Sequence, residues 1–216
     1  GSLMATSPGN ATNAHSPGGG FRALAVFCGS RAGNRPEYAE AARQLGQTLA
    51  GQGIELVFGG GSIGMMGEVA RAAMAAGGRV TGVIPDALMK REVGLSDITR
   101  MHVVESMHER KALMAELSDG FIALPGGFGT MEEYFEVLTW AQLRFHEKPV
   151  GLLDVAGFFA PLVAMFDHMV AEGFVSGEHR ALVIADEDPV ALLGRMAQYR
   201  APASDGAAPR LSRQQL

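Results

Sequence analysis

Short apolar runs alternate with amphipathic stretches along most of this chain, and that alternation limits the possible folds more than any other feature. The apolar runs lie at residues 24–28, 54–58, 80–84, 121–124, 150–153 and 182–184. Each is rich in Val, Ile, Leu or Phe and bounded by turn-forming residues, so each reads as a buried strand. Residues 36–50 place Tyr38, Ala42, Leu45 and Leu49 on one stripe, as a helix does. Residues 63–76, 107–118, 131–143, 158–171 and 189–198 are likewise helix-like. Strands separated by helices pack as a parallel sheet covered on both faces.

The predicted architecture is therefore α/β: a single-domain, Rossmann-like parallel sheet with helices on both faces, spanning residues 21–200. Residues 1–20 and 201–216 lack an apolar period and are expected to be disordered tails. With 47% apolar residues, the 216-residue chain has enough material for a full core. Its 18 basic and 23 acidic residues give a net charge of −5, without the positive field that non-specific nucleic-acid binding requires. The single cysteine, Cys28, excludes an intramolecular disulfide and a CxxC motif, and a reducing, cytoplasmic location is the expectation. No run approaches the roughly 18 to 20 apolar residues of a membrane helix, so no membrane partner is expected.

In parallel sheets, ligands bind beyond the carboxyl ends of the strands. After the run at 54–58 comes Gly59-Gly60-Gly61-Ser62-Ile63-Gly64-Met65-Met66-Gly67, leading into a helix. Such a loop lets backbone amides approach an anion at the helix N-terminus. Gly59, Gly61 and Gly64 also satisfy G-x-G-x-x-G, with Asp86 downstream, so a dinucleotide site is one reading. That fingerprint belongs to a first strand-helix turn, however, and this is the second. A tight turn without a ligand is the other alternative. A second loop, Pro125-Gly126-Gly127-Phe128-Gly129-Thr130-Met131-Glu132-Glu133, follows the run at 121–124. The two loops are expected on one rim, lining one anion-binding crevice. Neither continues into the Gly-Lys-Ser/Thr of a P-loop. Thr130 and Glu133 have capping-box spacing, which taken alone favours a purely structural role.

Ser106 and Glu109 form another capping-box pattern, predicting a helix that begins at Met107. Arg110 and Lys111 then fall near its first turn, where the helix dipole disfavours cations. Arg110 also shares a face with Met107, Met114 and Leu117, which directs a guanidinium inward. A buried charge needs a partner: a ligand phosphate, a carboxylate such as Glu133, or an internal salt bridge without function.

Other chemistries lack support. The six histidines form no HExxH spacing, so no metal site is expected. There is no Gly-x-Ser-x-Gly elbow, and Cys28 ends a buried strand. A pyridoxal phosphate enzyme would have to use Lys90, Lys111 or Lys148, and no surrounding pattern favours one.

Taken together, Phe27-Cys28-Gly29-Ser30, Gly59-Gly60-Gly61 through Gly67, Met107-His108-Glu109-Arg110-Lys111 and the complete P-G-G-x-G-T-x-x-E motif at 125–133 resemble the LOG ("Lonely Guy") family. Its members are cytokinin riboside 5′-monophosphate phosphoribohydrolases, often labelled lysine decarboxylases. The resemblance covers residues 23–198, including Thr139-Trp140-Ala141-Gln142-Leu143. It implies hydrolysis of the N-glycosidic bond of a nucleoside 5′-monophosphate to free base and ribose 5-phosphate, without metal or cofactor. It further implies Arg110 and Glu133 as the catalytic pair. Substrate contacts implied by the resemblance are Glu92, Lys111, Gly127, Phe128, Gly129, Thr130, Met131, Glu132 and Thr139, with Ser30, Gly60, Gly61 and Gly126 in the glycine cradle. Phe128 stands where tyrosine is common in the family. A homodimer with its pocket near the subunit interface is also implied, and the apolar Phe135, Leu138 and Trp140 region agrees with it. Three alternatives stay open: a nucleotide- or dinucleotide-binding protein without hydrolase activity, a molybdenum-cofactor carrier-like protein, and an interaction scaffold.

Overall fold

The computed structural model of the chain describes residues 20–90 and 94–203. Nearly all of both predicted tails, and Glu92, lie outside the described residues. Seven parallel strands form one sheet in the order β4-β3-β2-β1-β5-β6-β7. In chain order the elements are β1 (Ala23–Phe27), α1 (Pro36–Gly51), β2 (Glu55–Phe58), α2 (Gly64–Ala75), β3 (Val80–Pro85), α3 (Asp86–Met89), β4 (Arg100–Val104) and α4 (Met107–Leu117). Then follow β5 (Phe121–Ala123), α5 (Phe128–Gln142), β6 (Val150–Leu153), α6 (Ala160–Ala171), α7 (Gly177–Arg180), β7 (Val183–Asp186) and α8 (Pro189–Gln198).

The six predicted strands and six predicted helices are all present. The central strands are buried on both faces, which is why they read as continuous apolar runs rather than alternating ones. One layer packs Leu45 and Leu49 of α1, Val69 of α2 and Leu192 of α8 against the sheet. The other packs Met114 of α4, Tyr134 and Val137 of α5, and Phe166 of α6.

β4 is an addition to the predicted set. It is an edge strand, paired only with β3, and its Arg100 and Val103 are exposed. An edge strand can carry such residues, so it lacks the apolar signature of the interior strands.

The order of strands reverses at β1, which pairs with β2 on one side and β5 on the other. Phe27 lies level with Ala123, so the loops leaving β1 and β5 emerge side by side. This is the switch point at which open parallel sheets leave a crevice.

Candidate active site

Three loops meet at that switch point and are joined through their backbones. The Gly29 N–H donates to the Pro125 carbonyl at 3.1 Å, and the Met65 N–H donates to the Gly29 carbonyl at 3.1 Å. Between them lies a cavity of about 670 Å³. The crevice expected between two glycine loops is thus present, with the β1–α1 loop as a third wall.

Arg110 reaches the cavity from α4. Ser106 caps this helix by accepting the Glu109 N–H at 3.1 Å, as its spacing predicts. The Glu109 carboxylate accepts from the Glu105 N–H at 2.8 Å, one residue before the usual capping-box donor. Arg110 lies one turn further on, only 3% exposed, and donates to the Gly59 carbonyl at 2.6 Å. That bond offsets the unfavourable helix dipole and joins α4 to the β2–α2 loop. Glycine at 59 leaves room for this approach, since a Cβ at this position would overlap the guanidinium and push it aside.

Glu133 reaches the same cavity from α5, but not as a capping residue. The helix begins at Phe128, three residues earlier than predicted, with Gly127 as N-cap and no side-chain cap bond. The Thr130–Glu133 capping box is therefore overturned. Thr130 lies within the first turn and is buried, and the Met131 N–H already donates to the Gly127 carbonyl at 3.1 Å. The loop can fold this tightly because Gly126 has no Cβ, which would collide with Oγ1 of Thr130. Glu133, a turn deeper, is left to face the cavity.

Arg110 and Glu133 thus line one cavity, together with Ser30, Gly126, Gly127, Phe128, Gly129 and Thr130. The Phe128 ring stands 97% exposed. Cys28 lies on the same wall. Burial pushes its thiol well above the ordinary cysteine range, with the Glu133 charge adding to the effect and Arg110 opposing it. A thiol held neutral is a poor nucleophile, in keeping with its reading as core.

The remaining expected residues sit elsewhere. Gly60 packs toward Ile84 and Met101, and Gly61 bridges to Gly94, so of this glycine run it is Gly59 that lines the cavity. Lys111 pairs with Glu132 at 2.7 Å and with Glu136 at 2.5 Å, outside the cavity. Burial works against its ammonium, but these carboxylates outweigh it and hold the pKa above the ordinary value. Met131 packs against the second core layer, and Thr139 is exposed along α5. Sequence reasoning missed Arg31, Tyr38 and Phe158 as cavity residues. The Tyr38 and Phe158 rings meet edge-to-face at 6.0 Å. Their only sequence signal is position, in or after loops at the carboxyl ends of β1 and β6.

A family model described as possible lysine decarboxylase matches residues 66–196. The chain is 51% identical to a probable cytokinin riboside 5′-monophosphate phosphoribohydrolase of Oryza sativa subsp. japonica, covering 85% of this chain and 82% of that protein. It is 47% identical to a cytokinin riboside 5′-monophosphate phosphoribohydrolase of Arabidopsis thaliana, covering 83% and 84%. Among solved structures, the molybdenum cofactor carrier protein of Chlamydomonas reinhardtii matches with a TM-score of 0.62 at 26% identity, over 82% of this chain and 96% of that one. A molybdenum cofactor binding protein from Rippkaea orientalis shares the fold, with a TM-score of 0.57 at 24% identity over 77% and 90%.

The fold is that of a Rossmann-like α/β protein with a loop-built cavity at its switch point. Within that class, the chain belongs to the LOG family.

The decarboxylase description does not suit the cavity. A pyridoxal phosphate enzyme needs a lysine there for its Schiff base. None of Lys90, Lys111 and Lys148 lines it: Lys111 is ion-paired, Lys148 donates to the Ala115 carbonyl at 2.6 Å, and Lys90 is exposed beyond α3.

Proposed function

We propose that the domain at residues 21–200 hydrolyses the N-glycosidic bond of adenosine 5′-monophosphates, N6-substituted ones included. The products are free base and ribose 5-phosphate. Water adds across the bond, its oxygen joining C1′ and a proton going to the leaving nitrogen. Breaking the C1′–N9 bond builds positive charge on the sugar, and a carboxylate beside C1′ stabilises that charge. Glu133 fills this role and takes a proton from the attacking water. Arg110, fixed through the Gly59 carbonyl, orients the carboxylate and the nucleotide. The 5′-phosphate lies against the N–H groups of Phe128, Gly129 and Thr130, which open α5 and have no intrahelical acceptor.

The observation that carries this reading is that Arg110 and Glu133 both line the cavity into which the N-terminus of α5 opens. Relatives bearing the phosphoribohydrolase name support it at 47% to 51% identity, against 26% for the cofactor carrier. The test is chromatography of AMP and isopentenyladenosine monophosphate after incubation with the protein. Released base supports the reading; saturable nucleotide binding without release would replace it with a binding protein.

We also propose a homodimer formed through the α5 and α6 side. α6 buries only Phe166, while Met165 is 49% and nearby Phe174 85% exposed. Light scattering at twice the chain mass is the expected result. No helix among the described residues is long and apolar enough to cross a membrane, and we place the protein in the cytoplasm, which cell fractionation tests.

A further inference from the structure

Arg31 lies beyond the residues used so far, in the loop that follows β1. The described wall of the cavity carries two guanidiniums, Arg31 and Arg110, and one carboxylate, Glu133. Arg110 is buried against the Gly59 carbonyl. Arg31 is exposed on the rim, and no side chain among the described residues forms an ion pair with it. Its backbone, by contrast, is firmly rooted. Two residues before it, Gly29 donates to Pro125 and accepts from Met65, so the loop is pinned between the starts of α2 and α5.

A rigid root carrying an exposed guanidinium at the mouth of a cavity suits recognition of an anion. A phosphate monoester carries close to two negative charges at neutral pH, since its second pKa is about 6. The end of a helix supplies only about half an elementary charge in compensation. The whole chain is at −5, so the balance must come from local cations. Without Arg31, the described cavity wall would hold one cation against one anion. A guanidinium also offers paired N–H donors that match phosphate oxygens, which an ammonium does not.

We propose that Arg31 is a specificity-determining residue that pairs with the 5′-phosphate and restricts this site to nucleoside monophosphates over free nucleosides. The proposal rests on the hydrolase reading for its substrate, and its test separates the two. Calorimetry on the full chain, with ribose 5-phosphate directly and with AMP in a Glu133→Gln background that suppresses base release, reads binding without turnover. Arg31→Gln is expected to weaken both by about 10- to 100-fold, and Arg31→Lys to recover part of the loss. In turnover, the preference of Arg31→Gln for AMP over adenosine falls by a similar factor, with KM changing more than kcat. Wild-type affinity in Arg31→Gln overturns the proposal, as does equal loss toward AMP and adenosine. A wild-type protein that binds AMP through Arg31 but releases no base would refute the hydrolase reading alone.

Discussion

The guanidinium of Arg110 occupies the space that any side chain at residue 59 would need, and donates to the carbonyl of that same residue at 2.6 Å. Gly59→Ala should therefore push Arg110 off the cavity wall. A displacement of about 1 Å in a catalytic group costs on the order of 100-fold in rate, and kcat is expected to fall by that much. Steady-state kinetics beside a thermal melt will separate this from unfolding; unchanged kcat would detach Arg110 from the chemistry.

Glu133→Gln keeps the shape of the side chain and removes its charge and basicity. Base release should drop by about 100- to 10,000-fold, the usual scale for a lost general base. Nucleotide affinity, read by calorimetry, should persist because the helix-end amides remain. Full residual turnover would refute the assignment.

Phe128 opens α5 with its ring 97% exposed, so the folded protein gains almost nothing from burying it. Phe128→Ala should leave stability within about 0.5 kcal/mol of the parent. If the ring covers bound nucleotide, its loss should raise KM by roughly 10- to 100-fold, since covering an aromatic side chain contributes about 1.5 to 3 kcal/mol. An unmoved KM would make Phe128 irrelevant to the ligand.

His146 should make the fold sensitive to mild acid. Burial lowers its pKa below the ordinary 6.5, with Lys148 adding to the effect and the Val137 carbonyl opposing it. The Nε2 atom lies 2.8 Å from the Val137 carbonyl, and Nδ1 accepts the Lys148 N–H at 3.0 Å, which assigns a neutral ring protonated at Nε2. Below about pH 6.5 the unfolded chain takes up a proton that the folded ring refuses. Stability is thus full above that pH and declines as pH falls toward the lowered folded value. Denaturant titrations at pH 7.5 and 5.5 should show a smaller difference for His146→Gln than for the parent; equal differences would exclude this residue.

The interior of the sheet was legible because doubly buried strands leave uninterrupted apolar runs. β4 was not, since an edge strand tolerates Arg100 and His102 within it. The start of α4 could be read from Ser106, whose hydroxyl does the capping. The start of α5 could not, because Gly127 caps with backbone alone and the misleading Thr130–Glu133 spacing lies inside the helix. In the site, Arg110 betrayed itself by breaking an apolar stripe. Its carbonyl acceptor did not, because Gly59 is 51 residues away and any backbone carbonyl looks alike in sequence.

The clasp between Gly29, Pro125 and Met65 is made of peptide groups, whose chemistry does not depend on which side chains surround them. Ligand preference can therefore be retuned at the periphery, at Arg31, Tyr38 or Phe158, while the chassis beneath them stays intact. That separation lets the choice of ligand be redesigned without rebuilding the fold that holds it.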